Sequence, residues 1–301
     1  MDVLCIGHAA WDITLPLAEF PAEDGKVEIP ALVESGGGPA ANAAWLLSWW
    51  GVRCGFAGVV GDDDRGRRVL AEFAAVGTDT SLVEIRPDFP TPLSVILVNQ
   101  QTGSRTVVNR RVPSPALALG HVPGRPHVLL FDGHELPASL AAMDRFPEAR
   151  TVLDAGSLRD GTRALAGRVE FLVASERFAR QMTGLPPLDG PDEWAAAIAV
   201  LSALNGRPVV ITLGNRGLLH GTAAAWEHRP AAHVAAADTT AAGDAFHGAL
   251  AYGVLSALSW SETLRLAATT AELSVQALGG RRSFAPLARV RASLEGQSHE
   301  R

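Results

Sequence analysis

Lysine is almost absent from this chain: of 26 lysines and arginines, Lys26 is the only lysine. That absence excludes two common ways of holding a nucleotide phosphate. A P-loop needs Gly-Lys-Ser/Thr and a protein kinase needs Val-Ala-Ile-Lys, whereas the single lysine stands in Gly25-Lys26-Val27. Cys5 and Cys54 are the only cysteines, so neither a disulfide framework nor a four-cysteine zinc site can be built, and no His-Glu-x-x-His occurs. No apolar run reaches the roughly 18 residues that span a bilayer, and the first residues lack a basic, then apolar, leader, so we expect a cytoplasmic protein with no membrane partner. A formal net charge of −6 and the lack of any long basic run argue against a nucleic-acid partner.

What is present is ample core. With 301 residues and 47% hydrophobic content, the chain can bury a large α/β domain, and we expect one domain over 1–301. Short apolar runs at 3–6, 128–131, 151–153, 171–173 and 209–212 read as strands. Helical patterns lie at 43–50, 67–76, 136–146, 192–204, 244–258 and 261–278, with Pro39 suited to a first turn and Gly51 and Gly77 to helix stops. Alternation of this kind predicts a three-layer α/β/α fold with a mostly parallel central sheet. Two stretches, 13–34 and 91–111, alternate apolar and polar residues without helices between them, as in Val27-Glu28-Ile29. They are expected to pair as an antiparallel excursion, a small β-sheet lid near the strand ends where α/β folds bind ligands. The polar tail 296–301 is expected to fray.

The segment Asp238-Thr239-Thr240-Ala241-Ala242-Gly243-Asp244 joins a turn of small residues to a carboxylate at the head of an apolar helix. Thr239 and Thr240 can cap a helix, and the backbone N–H groups of Ala241, Ala242 and Gly243 can approach an anion directly. Asp244 would face that anion. The same residues also suit an ordinary capped helix whose first-turn acid is favoured by the helix dipole.

A second cluster, Gly36-Gly37-Gly38-Pro39-Ala40-Ala41-Asn42, formally satisfies G-x-G-x-x-A with Asp62 about 20 residues further on. A dinucleotide turn usually follows the first strand directly, whereas here Gly7 ends that strand and Asp12 intervenes. The glycines serve either a tight turn or space for a small polar ligand beside the Asn42 amide. Asp12, just past the first strand, can accept hydrogen bonds from two sugar hydroxyls or open an Asx turn. Asn109 ends a lid strand and can reach the same ligand.

At these residues the chain resembles the ribokinase-like, or PfkB, family of carbohydrate kinases. Residues 238–244 resemble the signature Asp-Thr-x-Gly-Ala-Gly-Asp, with Ala241 in place of its first Gly. Residues 36–42 resemble the Gly-Gly…Asn signature, Gly58-Val59-Val60-Gly61-Asp62-Asp63 the run that follows it, and Ile211-Thr212-Leu213-Gly214-Asn215-Arg216-Gly217 the nucleotide strand and turn. The resemblance implies a ribokinase-like fold and ATP-dependent phosphorylation of a sugar hydroxyl. It makes Asp244 the base, Ala241, Ala242 and Gly243 the phosphoryl cradle, and Asp12, Lys26, Gly37, Gly38, Asn42, Asn109 and His134 the acceptor contacts. Ser175, Thr212, Gly214, Asn215 and Gly217 would line the nucleotide site.

The departures bear on metal and substrate. Where the family has Asn-x-x-Glu to organise Mg2+, this chain has Ser175-Glu176-Arg177-Phe178, so Glu176 is either a shifted substitute or an ordinary first-turn acid. A K+ site is implied near Asp238 and Thr240, although Arg281 and Arg282 are placed to take over that role or to meet ATP phosphates. Ketohexokinase-like and sulfofructose kinase-like members share several of these features. Lys26 and Asn109 fall where the latter hold a sulfonate, and His134 replaces their arginine, which favours a neutral ketose at least equally. The other readings are a nucleoside kinase of the same fold, a sulfofructose kinase, and a non-catalytic sugar sensor. The family also implies a homodimer through the lid.

Overall fold

The computed structural model describes residues 1–113 and 115–299. In chain order its strands are β1 (Val3–Ile6), β2 (Ala10–Leu17), β3 (Val33–Gly37), β4 (Cys54–Gly61), β5 (Asp79–Arg86), β6 (Leu93–Asn99), β7 (Arg105–Arg110), β8 (Val128–Phe131), β9 (Arg150–Ala155), β10 (Phe171–Ser175), β11 (Val209–Thr212), β12 (Leu218–Gly221) and β13 (Trp226–Arg229). The helices are α1 (Pro39–Trp49), α2 (Asp64–Val76), α3 (Leu136–Arg145), α4 (Asp160–Ala166), α5 (Glu176–Thr183), α6 (Pro191–Asn205), α7 (Ala242–Leu255), α8 (Trp260–Ser274) and α9 (Leu287–His299).

Among the described residues, nine strands form the large sheet in the order β13-β12-β11-β10-β9-β8-β1-β4-β5, parallel except where β12 and β13 run antiparallel at one end. Alternate side chains of each strand enter opposite layers. Val3, Cys5, Val128 and Leu130 pack on the side of α1, α7 and α8, while Leu4, Ile6, Leu129 and Phe131 pack on the side of α3 to α6. Residues buried on both faces of a sheet read as continuous apolar runs, as β1 and β8 do.

The chain runs from β1 outward to β4 and β5, then returns to β8 on the other flank of β1. Strand order therefore reverses between β1 and β8, and such a crevice at the carboxyl ends of strands is where open α/β sheets bind ligands.

The small sheet has the order β3-β2-β6-β7 and differs from expectation in one respect. Its hairpin pairs β2–β3 and β6–β7 are antiparallel, but β2 joins β6 in parallel, so the sheet is mixed. Residues 18–32 form no strand, and Val27-Glu28-Ile29 is irregular despite its alternation, with Val27 51% exposed. Asp63 fastens the small sheet to the large one. Its carboxylate caps α2 at Gly66 N (2.8 Å) and accepts from Thr91 N (2.9 Å) and Thr91 Oγ1 (2.7 Å), just before β6. The helix α9 continues to His299, through the first part of the tail expected to fray; residues 300 and 301 lie outside the described part.

Candidate active site

The first turn of α7 projects Asp244 into the crevice between the two sheets. Neither threonine caps this helix, contrary to the sequence expectation. Its cap is Ala241, in the left-handed region at φ 58°, which is where the resembled signature carries glycine. Thr239 Oγ1 instead donates to Gly103 O (3.1 Å) and accepts from Arg105 Nη1 (2.8 Å), latching the β6–β7 hairpin onto this loop. Thr240 Oγ1 is buried without a partner. Asp238 shapes the loop by accepting from Thr240 N (2.8 Å) and Gly279 N (2.9 Å).

Asn42, near the start of α1, donates from Nδ2 to Asp244 Oδ2 at 2.6 Å. Its other amide atom, Oδ1, accepts from Arg281 Nε at 2.9 Å. Arg281 is 2% exposed, donates from Nη1 to Glu72 at 2.9 Å and stacks 4.7 Å from the Phe73 ring. A chain of contacts thus runs from Glu72 through Arg281 and Asn42 to Asp244. Burial pushes the Asp244 carboxyl above its ordinary range, while the Asn42 hydrogen bond and the charges of His247 and Arg105 pull it back. His247, one turn along α7, bonds the Gly243 carbonyl through Nδ1 (2.6 Å) and lies 3.2 Å from Asp154, whose pKa burial raises to about 7.

Across the small sheet, Ser35, Asp12, Ser94 and Asn109 stand in register on four adjacent strands. Directly paired residues share a face, so this polar row faces one side of the sheet. Asp12 is buried with Oδ1 unpartnered, and burial raises its pKa to about 6. A Cβ on Gly37 would stand 2.0 Å from the Asp12 carboxylate and one on Gly38 2.2 Å from the His8 carbonyl, with Gly38 itself at φ 98°. These glycines bring the head of α1 against the row. They stand at the end of β3 of the small sheet and not after the first strand, and Asp62 is exposed against Arg67, so the dinucleotide-turn reading fails.

The remaining expected residues divide. Gly214 and Gly243 leave open space where a side chain would stand, while a Cβ on Gly217, at φ 92°, would meet Arg229 O at 2.0 Å. Asn215 is exposed beside them, and Thr212 Oγ1 reaches Ala174 O at 3.4 Å. Ser175 has both roles of its hydroxyl occupied, accepting from Phe178 N and donating to Gly156 O. Glu176 is held by Arg216 (2.5 Å) and by Leu188 N (3.2 Å). Lys26 lies exposed in the irregular 18–32 segment. Arg281, expected near a cation or ATP phosphates, serves Glu72 and Asn42 instead. His134 stands beside Arg111 and Arg159, neither of which the sequence analysis singled out.

A family model for "pfkB family carbohydrate kinase" matches residues 1–123 and 134–286. The chain belongs to this family. It is an ATP-using phosphotransferase of the carbohydrate and nucleoside kinase kind. It is 30% identical over 260 residues to an ATP-dependent ribose-1-phosphate kinase of Halopiger xanaduensis, covering 81% of each chain. It is 25% identical over 293 residues to a deoxyribokinase of Salmonella typhi, covering 94% of this chain and 95% of that one. The fold matches that of Arabidopsis thaliana ribokinase complexed with ribose and ATP, with a TM-score of 0.77, 22% identity and 97% coverage of both chains.

The residues present can be weighed against the groups this family uses. The open cradle at Gly243 and the first-turn N–H groups of α7, which have no carbonyl within their own helix to bond, fit a phosphate. For the metal these residues offer no preformed cage, which a Mg2+ held mainly by water and nucleotide phosphates does not require. Among the described residues no group of three His, Cys, Asp or Glu side chains could hold an ion, and Glu176 is already paired.

Proposed function

We propose that this chain phosphorylates a hydroxyl of a ketose or related small sugar, with Asp244 as the base. The observation that supports it best is the convergence of Asp244 and Asn42 below the row that carries Asp12. ATP, when bound, supplies the phosphoryl group. Asp244 takes the proton of the acceptor hydroxyl, and Asn42 fixes which carboxylate oxygen points into the cleft. Asp12, with its free Oδ1, accepts from acceptor hydroxyls. The N–H groups of Ala242, Gly243 and Asp244 lie where negative charge develops on the transferred group, and Gly214, Asn215 and Gly217 offer a nucleotide wall. The small sheet acts as a lid over the acceptor, excluding the water that would compete with it. Its edge strand β7 exposes Val107 and Val108, which pairing with a second copy of the chain would cover.

A coupled ADP-release assay over pentoses, ketoses, nucleosides and their phosphorylated or sulfonated forms tests this reading. Asp244→Asn is expected to reduce turnover by about 10³-fold or more while sparing acceptor affinity, since it removes the base and keeps the shape. Acceptor binding without ADP release by the native chain would instead favour a sensor, the reading supported by Phe178 at the family's glutamate position.

A further inference from the structure

Two guanidinium groups stand together at the acceptor end of the cleft with no carboxylate in ion-pair contact among the described residues, although the charge of Asp132 reaches Arg111. Arg111, just past β7, brings Nη2 to 3.4 Å from His134 Nε2. Arg159, in the loop after β9, donates from Nη1 to the same nitrogen and from Nη2 to Ser157 Oγ at 2.6 Å. A guanidinium can only donate, so beside two of them the His134 imidazole is favoured in its neutral form. Burial and the two arginines hold it in that state, and its stacking on His8, centroids 4.6 Å apart, keeps the ring in place.

Neither arginine forms an ion pair among the described residues. The nearby acid, Asp132, is already committed: its carboxylate accepts the backbone N–H groups of His8 (2.8 Å), Ala40 (3.2 Å) and His134 (2.9 Å). Each of the two permanent cations therefore sits in the other's repulsive field, sharing one neutral acceptor. The pair is pre-arranged, with several N–H donors held near one point, for an anion that comes from outside.

Position identifies which anion. His8, His134 and Arg159 follow the carboxyl ends of β1, β8 and β9, three adjacent strands at the point where the strand order reverses. Arg111 lies two residues beyond Asn109, about 7 Å along an extended chain from the end of the polar row that carries Asp12. The opposite end of β7 is Arg105, latched to Thr239 in the loop before α7, and six residues of strand separate the two arginines by about 20 Å. The pair thus lies near the acceptor's row and well away from the phosphate cradle.

We propose that the acceptor sugar carries a tetrahedral oxyanion, a phosphate ester or a sulfonate, clamped by Arg111 from the lid and Arg159 from the large sheet. The proposal rests on the reading of this cleft as the acceptor site. It also gives anion recognition to residues other than Lys26, which stands outside the cluster. Because the two arginines come from different sheets, an acceptor with this group ties the lid to the large sheet.

Matched acceptors test the proposal on the full chain: ribose against its 1-phosphate and 5-phosphate, and fructose against its 1-phosphate and 6-deoxy-6-sulfofructose. The anionic member of at least one pair is expected to have a kcat/KM 100-fold or more above its neutral counterpart, and the phosphate and sulfonate arms separate the two sources. Arg159→Gln and Arg111→Gln should each reduce that ratio at least 10-fold, mainly through KM; lysine at either position should restore part of it. Equal kcat/KM for neutral and anionic acceptors in the native chain would overturn the proposal. So would variants that raise KM for ATP while the acceptor ratio stays put, since the arginines would then serve the nucleotide. If no acceptor is phosphorylated, the kinase reading fails by itself, and calorimetry still decides the clamp. Binding of a phosphorylated or sulfonated sugar that weakens 10-fold in Arg159→Gln upholds it, and no binding of any of them rejects it.

Discussion

Asn42 and Asp244 are 202 residues apart in sequence and meet at 2.6 Å, the amide Nδ2 donating to one carboxylate oxygen. Asn42 comes from α1, which follows β3 of the small sheet, and Asp244 from α7, and both helices pack on the same face of the large sheet. The bond also acts on the ionisation of the carboxyl. Burial raises the Asp244 pKa and the Asn42 donor lowers it, so loss of the donor raises it further.

Asn42→Ala is therefore expected to move the acid limb of the kcat/KM profile to higher pH, because the base is lost as pH falls through its pKa. At neutral pH kcat/KM should fall by about 10–100-fold, part of it from misorientation. A pH–rate profile for a sugar and ATP checks this. A loss of activity with an unmoved acid limb would mean that Asn42 touches only the acceptor.

Arg281 separates stability from activity through its two partners. Glu72→Gln leaves a buried guanidinium without its counter-charge, and a loss of about 3 kcal/mol in urea unfolding is expected. Arg281→Met fills a similar volume without a charge and should cost less stability, yet it removes the donor that holds Asn42 Oδ1, so kcat should fall several-fold. Equal effects of both substitutions on folding and turnover would contradict this division.

Most central strands are legible in the sequence because burial on both faces gives unbroken apolar runs, whereas glycines interrupt the equally buried β4, which is not among those runs. Strands β1, β8 and β11 have the bounds that the runs predict, 3–6, 128–131 and 209–212. Helix starts are less legible. The periodic pattern of α1 starts only at 43, but Pro39 takes the first-turn position expected of it; α7 begins at Ala242 and not at 244, since glycine and alanine carry little periodicity. The half-exposed edge strands β5 and β13 have no such run and escape notice. Asn42 and Asp244 draw attention in the sequence because each sits beside small residues near a helix start, and Asp12 because it lies just past the first strand. Arg159 has no local signal beyond following a strand's carboxyl end, and Arg111 none beyond ending a lid strand. Their pairing through His134 depends on the β1–β8–β9 order, which spacing along one chain does not reveal.

Glu176 provides a test of the missing metal motif. Its carboxylate is tied to Arg216 and to Leu188 N, so it braces the start of α5 against the loop before α6. Glu176→Gln is expected to lower stability by about 1–2 kcal/mol, from a partly exposed pair and one charged hydrogen bond, with the dependence of activity on Mg2+ concentration unchanged. A large rise in the Mg2+ needed for half-maximal rate would show that the carboxylate turns toward the nucleotide during the reaction.

Asp12 is where function opposes stability. Burial raises its pKa from 3.8 to about 6, outweighing the Ser94 hydrogen bond. For an acid raised in the folded state, the associated stability is fully present below the unfolded value near 4 and is lost as pH rises through about 6. At pH 8 the charged, half-satisfied carboxylate then costs the fold roughly 2–3 kcal/mol. Asp12→Asn keeps the shape without the charge, so Tm should rise at pH 8 and change little at pH 4, while KM for the acceptor rises at least 10-fold. Thermal melts at the two pH values with acceptor kinetics at pH 8 check both halves. A lower Tm at pH 8 would mean that Arg281, whose charge also reaches Asp12, offsets burial more fully than the position of the carboxyl implies.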